Sequence, residues 1–395
     1  MKIIISLNTA WNLLNFRAGL IRALVRQGHE VVAIAPADNY APALATLGCR
    51  FVPIAMDQWG THPGQDLLLL WRYWRCLRRE QPGLYLGYTV KPNVYGSLAA
   101  HCLGIPVINN IAGLGSVFIR NGWMARLVRS MYKVSLRKSA SVFFQNQDDQ
   151  KLFIANGLVL SDATQVLPGS GIDLDRFRLA AMSASGASGD KFRFLLVARL
   201  LWDKGLAEYL EAAKLIRQRW PKVECCLLGF VDTQNPSGIS KTQLDAWVAQ
   251  GHVTYLGVSS DVRPNIAEAD CIVLPSYREG TPRSLLEAAA MGRPIITTEA
   301  VGCRDVVEDG VTGYLCRVRD GVDLAAKMER MLALTDAQRA LMGARGRAKM
   351  ERQFDERIVI EKYLQTIETI SRQRSVKNGG TQGKQHDAES EEMPI

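Results

Sequence analysis

Short β-branched runs that alternate with amphipathic helical stretches constrain this chain more than any other feature. Lys2-Ile-Ile-Ile-Ser-Leu7 has the pattern of a buried strand. A polar turn from Asn8 to Asn12 then leads into a helical pattern that runs through Val25 and stops at Gly28, and Glu30-Val-Val-Ala-Ile-Ala35 is a second strand. Strand, helix, strand units of this kind build parallel sheets with helices on both faces. Pro106 to Asn109 and Ser141 to Phe144 extend the series, with a helix-like segment over 122–138 between them. Ala180 to Asp190 is small, polar and glycine-containing, the composition of a linker. The alternation then restarts, with strands expected at Phe192 to Ala198, Val223 to Gly229, Val253 to Leu256, Cys271 to Leu274 and Pro294 to Thr298. A helical segment from Ala207 to Arg219 lies between the first two of these. The expected fold class is α/β, in two domains.

Composition narrows the function. With 47% hydrophobic and 22% charged residues, the 395-residue chain buries a sizeable core and is neither disordered, collagenous nor a disulfide-stapled miniprotein. Eight scattered cysteines show no C-x-x-C and no His partner at zinc spacing, so reduced, mostly buried thiols are expected. No apolar run reaches the roughly 18 residues of a spanning helix, and the N-terminus lacks a signal-peptide pattern, which predicts a cytoplasmic protein. The net charge is +9, and residues 81–147 hold seven basic side chains and no Asp or Glu. Such a field attracts nucleic acid, an anionic membrane face or a phosphorylated substrate.

Two blocks carry the residue types of an anion site. Tyr277-Arg-Glu-Gly-Thr-Pro-Arg-Ser-Leu-Leu-Glu-Ala-Ala-Ala-Met-Gly-Arg-Pro294 follows a buried strand, turns through Gly280 and Pro282, and opens an alanine-rich helix that Gly292 ends. A helix N-terminus at the C-terminal end of a parallel strand favours an anion through unpaired N–H groups and the helix dipole. Glu279 before the turn and Glu287 on the helix could border one ligand; the plain alternative is a turn residue and a solvated helix position. Arg199 and Lys204 end the second domain's first strand in Val197-Ala-Arg-Leu-Leu-Trp-Asp-Lys-Gly205. Two cations there can neutralise a diphosphate whose charge grows as the bond to it breaks, although either alone would pass for a surface residue.

Together the blocks resemble the nucleotide-sugar site of the retaining glycosyltransferases of family 4: an Arg and a Lys after the strand, then Glu-x7-Glu and the glycine-proline helix end. Leu167-Pro-Gly-Ser-Gly-Ile-Asp173 with Phe177 resembles that family's approach to the interdomain linker, and Asp305 to Leu315 its late strand-turn segment. The resemblance covers residues 1 to about 370 and implies a GT-B fold, two facing Rossmann-like domains with the active site in the cleft between them. By it, residues 1–178 form an acceptor-binding, membrane-associating domain, 179–190 the linker, and 191–350 the nucleotide-sugar domain. Residues 351–373 form a helix packing back toward the N-terminal domain, and 374–395 a disordered tail. It implies that Arg199 and Lys204 hold the donor diphosphate and that Glu287 binds the ribose. Glu279 would face the transferred sugar beside Gly280, Thr281, Arg283 and Ser284, and backbone around Gly257 and Val258 would hold the base. Glu279, Lys204 and Arg199 are the expected catalytic residues, in retaining transfer from a UDP-sugar that uses no metal or other cofactor. Asp173-Leu174-Asp175 spells the metal motif of another glycosyltransferase fold but lies in the linker segment.

The first half departs from the broad family pattern: the Asn8–Asn12 loop lacks glycines, and Ala112 rather than His precedes Gly113. Gly87 to Ser97 and Asn109 to Gly115 resemble instead the subgroup that adds an N-acetylhexosamine or related sugar to an undecaprenyl-diphosphate-linked saccharide in bacterial glycan assembly. Thr89, Lys91 and Asn93, with Gly113 and Gly115, are the expected acceptor contacts. Residues 67–79 and 122–138 interleave aromatics with cations as interfacial helices do. With the acid-free stretch they predict peripheral association with the anionic inner face of the membrane; the alternative is ordinary surface helices whose Trp and Leu face the core. Two other functions compete at this point. One is a GT-B nucleotide-sugar epimerase that needs no acceptor. The other is a non-enzymatic nucleic-acid-binding protein, disfavoured because no recognition helix or binding motif is present, so no nucleic-acid partner is expected.

Overall fold

The computed structural model describes residues 1–57, 62–114, 123–180, 191–233 and 235–388, without side-chain detail for 123–125 and 376–388. Successive strand side chains point to opposite faces, so β1 (Lys2–Ser6) commits Ile3 and Ile5 to one buried cluster and Ile4 to another. Around it stand β2 (Glu30–Ala35), β3 (Arg50–Pro53), β4 (Leu84–Tyr88), β5 (Val107–Ile111), β6 (Ser141–Phe144) and β7 (Thr164–Val166), in the order β3-β2-β1-β4-β5-β6-β7. Every pairing is parallel. The second sheet holds β8 (Phe192–Val197), β9 (Val223–Leu228), β10 (Thr254–Tyr255), β11 (Cys271–Leu274), β12 (Ile295–Thr298) and β13 (Gly313–Cys316), in the order β10-β9-β8-β11-β12-β13, again all parallel. Phe194 and Leu196 of β8 face one core and Leu195 the other. The α/β expectation of two sheets with helices on both faces therefore holds, and six of the eight free cysteines are buried.

Four strands escape the periodicity. β3 is a short edge strand ending in proline, and β7 has three half-exposed or exposed residues. β13 lies in the segment resembling the family's strand-turn. β4 is central, yet it contains Gly87, where a Cβ would lie 2.9 Å from Asn93 Oδ1, so close packing of side chains overrides strand propensity there.

The C-terminal helix Glu356–Ala388 lays Val359, Tyr363, Ile367 and Ile370 into the core of the first sheet. The helix is described as far as Ala388, and residues 389–395 of the expected disordered tail lie outside the described residues. The helix Pro63–Glu80 divides its side chains, burying Leu69, Tyr73 and Leu77 while Leu67, Leu68 and Trp71 stay exposed beside Arg75. On the helix Trp123–Leu136, Tyr132 and Leu136 face inward and Leu127 and Val134 outward. Among the described residues no helix is long and apolar enough to cross a membrane.

Candidate active site in the interdomain cleft

The C-terminal ends of β8 and β11 meet because of one glycine. Gly205 has φ of 75°, and a Cβ on it would lie 2.0 Å from the Pro275 carbonyl oxygen, so only glycine lets the Trp202–Lys204 turn press against the end of β11. That approach brings Lys204 Nζ to 2.5 Å from Glu279 Oε1, across 75 residues of sequence. Ser276 donates its hydroxyl to the same carboxylate oxygen at 2.8 Å, and the Glu279 amide is held by the Val301 carbonyl at 3.0 Å. Both charged side chains are mostly buried, at 14% and 16% exposure.

The helix Arg283–Ala290 begins after Pro282 with no side-chain cap, leaving its first amides open to a ligand. On its first turns Arg283 Nε pairs with Glu287 Oε1 at 3.1 Å, and Arg283 Nη1 donates to the Gly171 carbonyl at 2.5 Å. Burial raises the Glu287 carboxyl above the usual range, with Arg283 opposing the shift. Ser284 is half-buried on the same turn. Arg199 stands at the end of β8, 42% exposed, its Nη1 3.6 Å from Asp232 Oδ2. Gly257 accepts from the Gly229 amide at 2.9 Å, and Val258 beside it is 66% exposed. The structure thus gathers Arg199, Lys204, Glu279 to Ser284 and Glu287 at one edge of the second sheet, with Gly257 and Val258 on the neighbouring β10 side.

The N-terminal domain closes on this edge. A Cβ on Gly280 would lie 2.2 Å from the Ala112 carbonyl oxygen and 2.7 Å from Gln145 Oε1, and Gly113 abuts Gly280 from across the cleft. Asn146 Nδ2 donates to the Gly280 carbonyl at 3.0 Å, and Thr281 donates to the Gln145 carbonyl at 3.0 Å. Two ion pairs flank the contact: Arg278 to the fully buried Asp149, and Arg304 to Asp148 through two bonds of 2.9 and 2.8 Å. Sequence reasoning missed this clamp. Its one readable trace was Asn146 capping the amide of Asp149 at 2.8 Å, a helix-start pattern that says nothing of a partner 129 residues away.

The expected acceptor contacts divide. Thr89 is half-buried at φ of 59°, a left-handed conformation unusual for a β-branched residue. Lys91 Nζ is paired with Asp66 at 2.9 Å and lines a cavity of about 610 Å³ with Met56, Gln65, Leu68 and Arg72. Asn93 faces inward: its amide donates to the Asn110 carbonyl and accepts from Asn109, both at 2.9 Å, so a direct grip on an acceptor does not fit its position. Gly113 lies at the domain contact, and Gly115 is outside the described residues. Asp173 spends its carboxylate on the amides of Asp175 and Arg176 at 3.0 and 2.9 Å, the work of a turn.

Two facing α/β domains, with a lysine and a carboxylate beside an uncapped helix terminus in the cleft between them, define the GT-B glycosyltransferase class. The family model described as "Glycosyl transferases group 1" matches residues 191–334, and that of the "Glycosyl transferase 4-like domain" matches 16–169. The chain belongs to the family 4 glycosyltransferases and is a hexosyltransferase. It is 30% identical over 369 residues to the N,N'-diacetylbacillosaminyl-diphospho-undecaprenol alpha-1,3-N-acetylgalactosaminyltransferase of Campylobacter jejuni, covering 90% of this chain and 95% of that protein. With the UDP-Gal:alpha-D-GlcNAc-diphosphoundecaprenol alpha-1,3-galactosyltransferase of Escherichia coli it shares 24% identity over 65% of this chain and 68% of that one. In fold it matches Anabaena Alr3699/HepE, crystallised with UDP and glucose, at a TM-score of 0.76 and 19% identity, covering 93% of this chain and all (100%) of that one.

Proposed function

We propose that the protein transfers an N-acetylhexosamine from a UDP-sugar, with retention at the anomeric carbon, to an undecaprenyl-diphosphate-linked saccharide at the inner face of the bacterial membrane. The observation that carries this reading is Lys204 held on Glu279 beside the open terminus of the helix Arg283–Ala290. A donor diphosphate entering there meets Lys204, Arg199 and the helix amides, which stabilise it as charge develops on leaving. Lys204 then exchanges part of its pairing from Glu279 to the phosphate, and Glu279 turns to the transferred sugar. Glu287 accepts from the ribose hydroxyls, and backbone at Gly257 and Val258 borders the base. The acceptor hydroxyl attacks from the face the diphosphate leaves, its oxygen bonding the anomeric carbon as the bond to the diphosphate breaks and its proton passing to the departing diphosphate. Two cations and a helix terminus supply the charge stabilisation that a metal ion gives other transferases.

The acceptor class is supported by the names of the Campylobacter and Escherichia relatives and by the first domain's surface. Leu67, Leu68 and Trp71 are exposed on the helix that also carries Arg75, Arg78 and Arg79, an apolar and cationic face suited to an anionic bilayer. The test is label transfer from a panel of UDP-sugars into the organic-soluble lipid of a bacterial membrane extract. Label is expected in that fraction and lost with Glu279→Ala. Donor consumed with no labelled lipid would favour the epimerase reading or a soluble acceptor and overturn the lipid acceptor.

A further inference from the structure

Of the buried basic side chains, Arg293 and Arg339 are held by backbone carbonyls and Lys349 by Glu308, whereas Arg17 has no such acceptor among the described residues. Arg17, at the junction of the two helices that follow β1, is 5% exposed. Among the described residues its guanidinium makes no hydrogen bond or ion pair; its contact is the ring of Tyr88, 4.3 Å from the guanidinium carbon to the ring centroid. Its Nε is closed off from solvent with no acceptor in reach. Stacking on an aromatic ring fixes the plane of the guanidinium but does not replace the hydration the charge has lost. A charge taken out of water persists at a cost unless a counter-charge or a set of acceptors meets it.

The groups around Arg17 are also polar and enclosed. Asn110 Nδ2 donates to Tyr363 Oη at 3.0 Å, while Asn110 Oδ1 is buried and accepts nothing among the described residues. The rings of Tyr88 and Tyr363 stand 6.2 Å apart, and Arg17 opposes the upward push that burial gives both phenols, which places it near each. Tyr88 ends β4 and Asn110 lies one residue from the end of β5. The chain leaves β1 for β2 and β3 on one side and returns to β4 on the other, so this is the switch point of the first sheet. Open α/β sheets take ligands in the crevice outside the carboxyl ends of their strands at such a point. The cluster also borders the donor half: Phe16, one residue before Arg17, lies 5.6 Å from the guanidinium of Arg283, which pairs with Glu287. Lys91, the cation expected to grip a phosphate, is already neutralised by Asp66.

We propose that Arg17 is the anion site of the acceptor half: its guanidinium binds a phosphoryl group in the crevice beyond the carboxyl ends of β1 and β4. A planar guanidinium donor without a counter-charge fits a phosphate or diphosphate group. Identifying that ligand as the acceptor's lipid diphosphate rests on the acceptor reading above; the anion site itself does not.

The experiment is calorimetric titration of the full chain with inorganic pyrophosphate in saturating UDP, which occupies the donor diphosphate site. Wild type is expected to bind, and Arg17→Gln to bind roughly 10- to 100-fold more weakly, the range for losing a charge-assisted hydrogen bond. Unchanged UDP affinity in the variant shows that it is folded. In the transfer assay the acceptor KM rises by a similar factor while the donor KM does not move. Should Arg17→Gln fail to fold, Arg17→Lys keeps the charge without the planar fork and is expected to lose several-fold in pyrophosphate affinity. No pyrophosphate binding by wild type, or equal binding by the folded variant, overturns the proposal. Arg17-dependent pyrophosphate binding without glycosylation of any lipid would leave the anion site standing and remove the acceptor reading instead.

Discussion

Lys204 and Glu279 neutralise each other at 2.5 Å, so each charge is already met before a ligand reaches it. Lys204→Ala removes a cation from the leaving diphosphate and is expected to lower kcat roughly 100-fold or more; turnover within a few-fold of wild type would remove Lys204 from the site. Glu287 makes a prediction about stability. Its carboxyl is raised above the ordinary 4.5 by burial, so between that value and the raised one the folded protein holds more proton than the unfolded chain. Stability contributed by this group is therefore fully present at low pH and falls as pH rises through the window. Glu287→Gln abolishes that loss, so the variant's Tm relative to wild type should climb as pH rises above 4.5, while its donor KM increases. A Tm difference that stays flat with pH would contradict this. The spacing of Glu279 and Glu287, and of Arg199 and Lys204, was legible in sequence because each pair sits on one strand-to-helix connection. Arg17 was not, since its meaning lies in which neighbours the fold withholds from it.

The elements that carry these residues are held by a clamp that joins the loops after β11 and β12 to the helix Gln147–Ala155. Its two ion pairs differ in burial, and burial decides their weight. Asp149 is fully enclosed, and removing it strands Arg278, so Asp149→Ala is expected to cost about 3–5 kcal/mol in denaturant unfolding. Asp148 and Arg304 are 40% and 44% exposed, and Asp148→Ala should cost less than about 1 kcal/mol. Equal costs would mean that the buried pair is not formed in solution. Gly280→Ala places a methyl where the Ala112 carbonyl stands and is expected to abolish most transfer activity while leaving each domain folded, as activity assays and circular dichroism would report. The strand, helix alternation was legible wherever a β-branched run stood alone, as in β1, β2 and β12. It failed for β4, whose Gly87 yields to Asn93, for β3, an edge strand that ends in proline, and for β7, whose three residues are all half-buried or exposed.

Across the whole molecule, the chain's end secures its beginning. Val359, Tyr363, Ile367 and Ile370 complete the core of the first sheet, so truncation after Asp355 should destabilise the N-terminal domain, whereas truncation after Ser375 removes none of these. Thermal unfolding of the two truncations separates them; equal Tm values would show the helix to be dispensable. Amphipathic spacing alone does not name the domain such a helix packs on. The helix Pro63–Glu80 turns one face to the core and leaves Leu67, Leu68 and Trp71 on the surface. At this scale the proposed activity is retaining transfer from a UDP-sugar to a lipid-linked saccharide. Proton NMR of the product formed from a UDP-α-N-acetylhexosamine and an undecaprenyl-diphosphate-linked saccharide tests it most directly. A new α-linked anomeric signal on the acceptor is expected, with stoichiometric release of UDP. A β-linked product, or UDP released in the absence of acceptor with no new linkage, would contradict it.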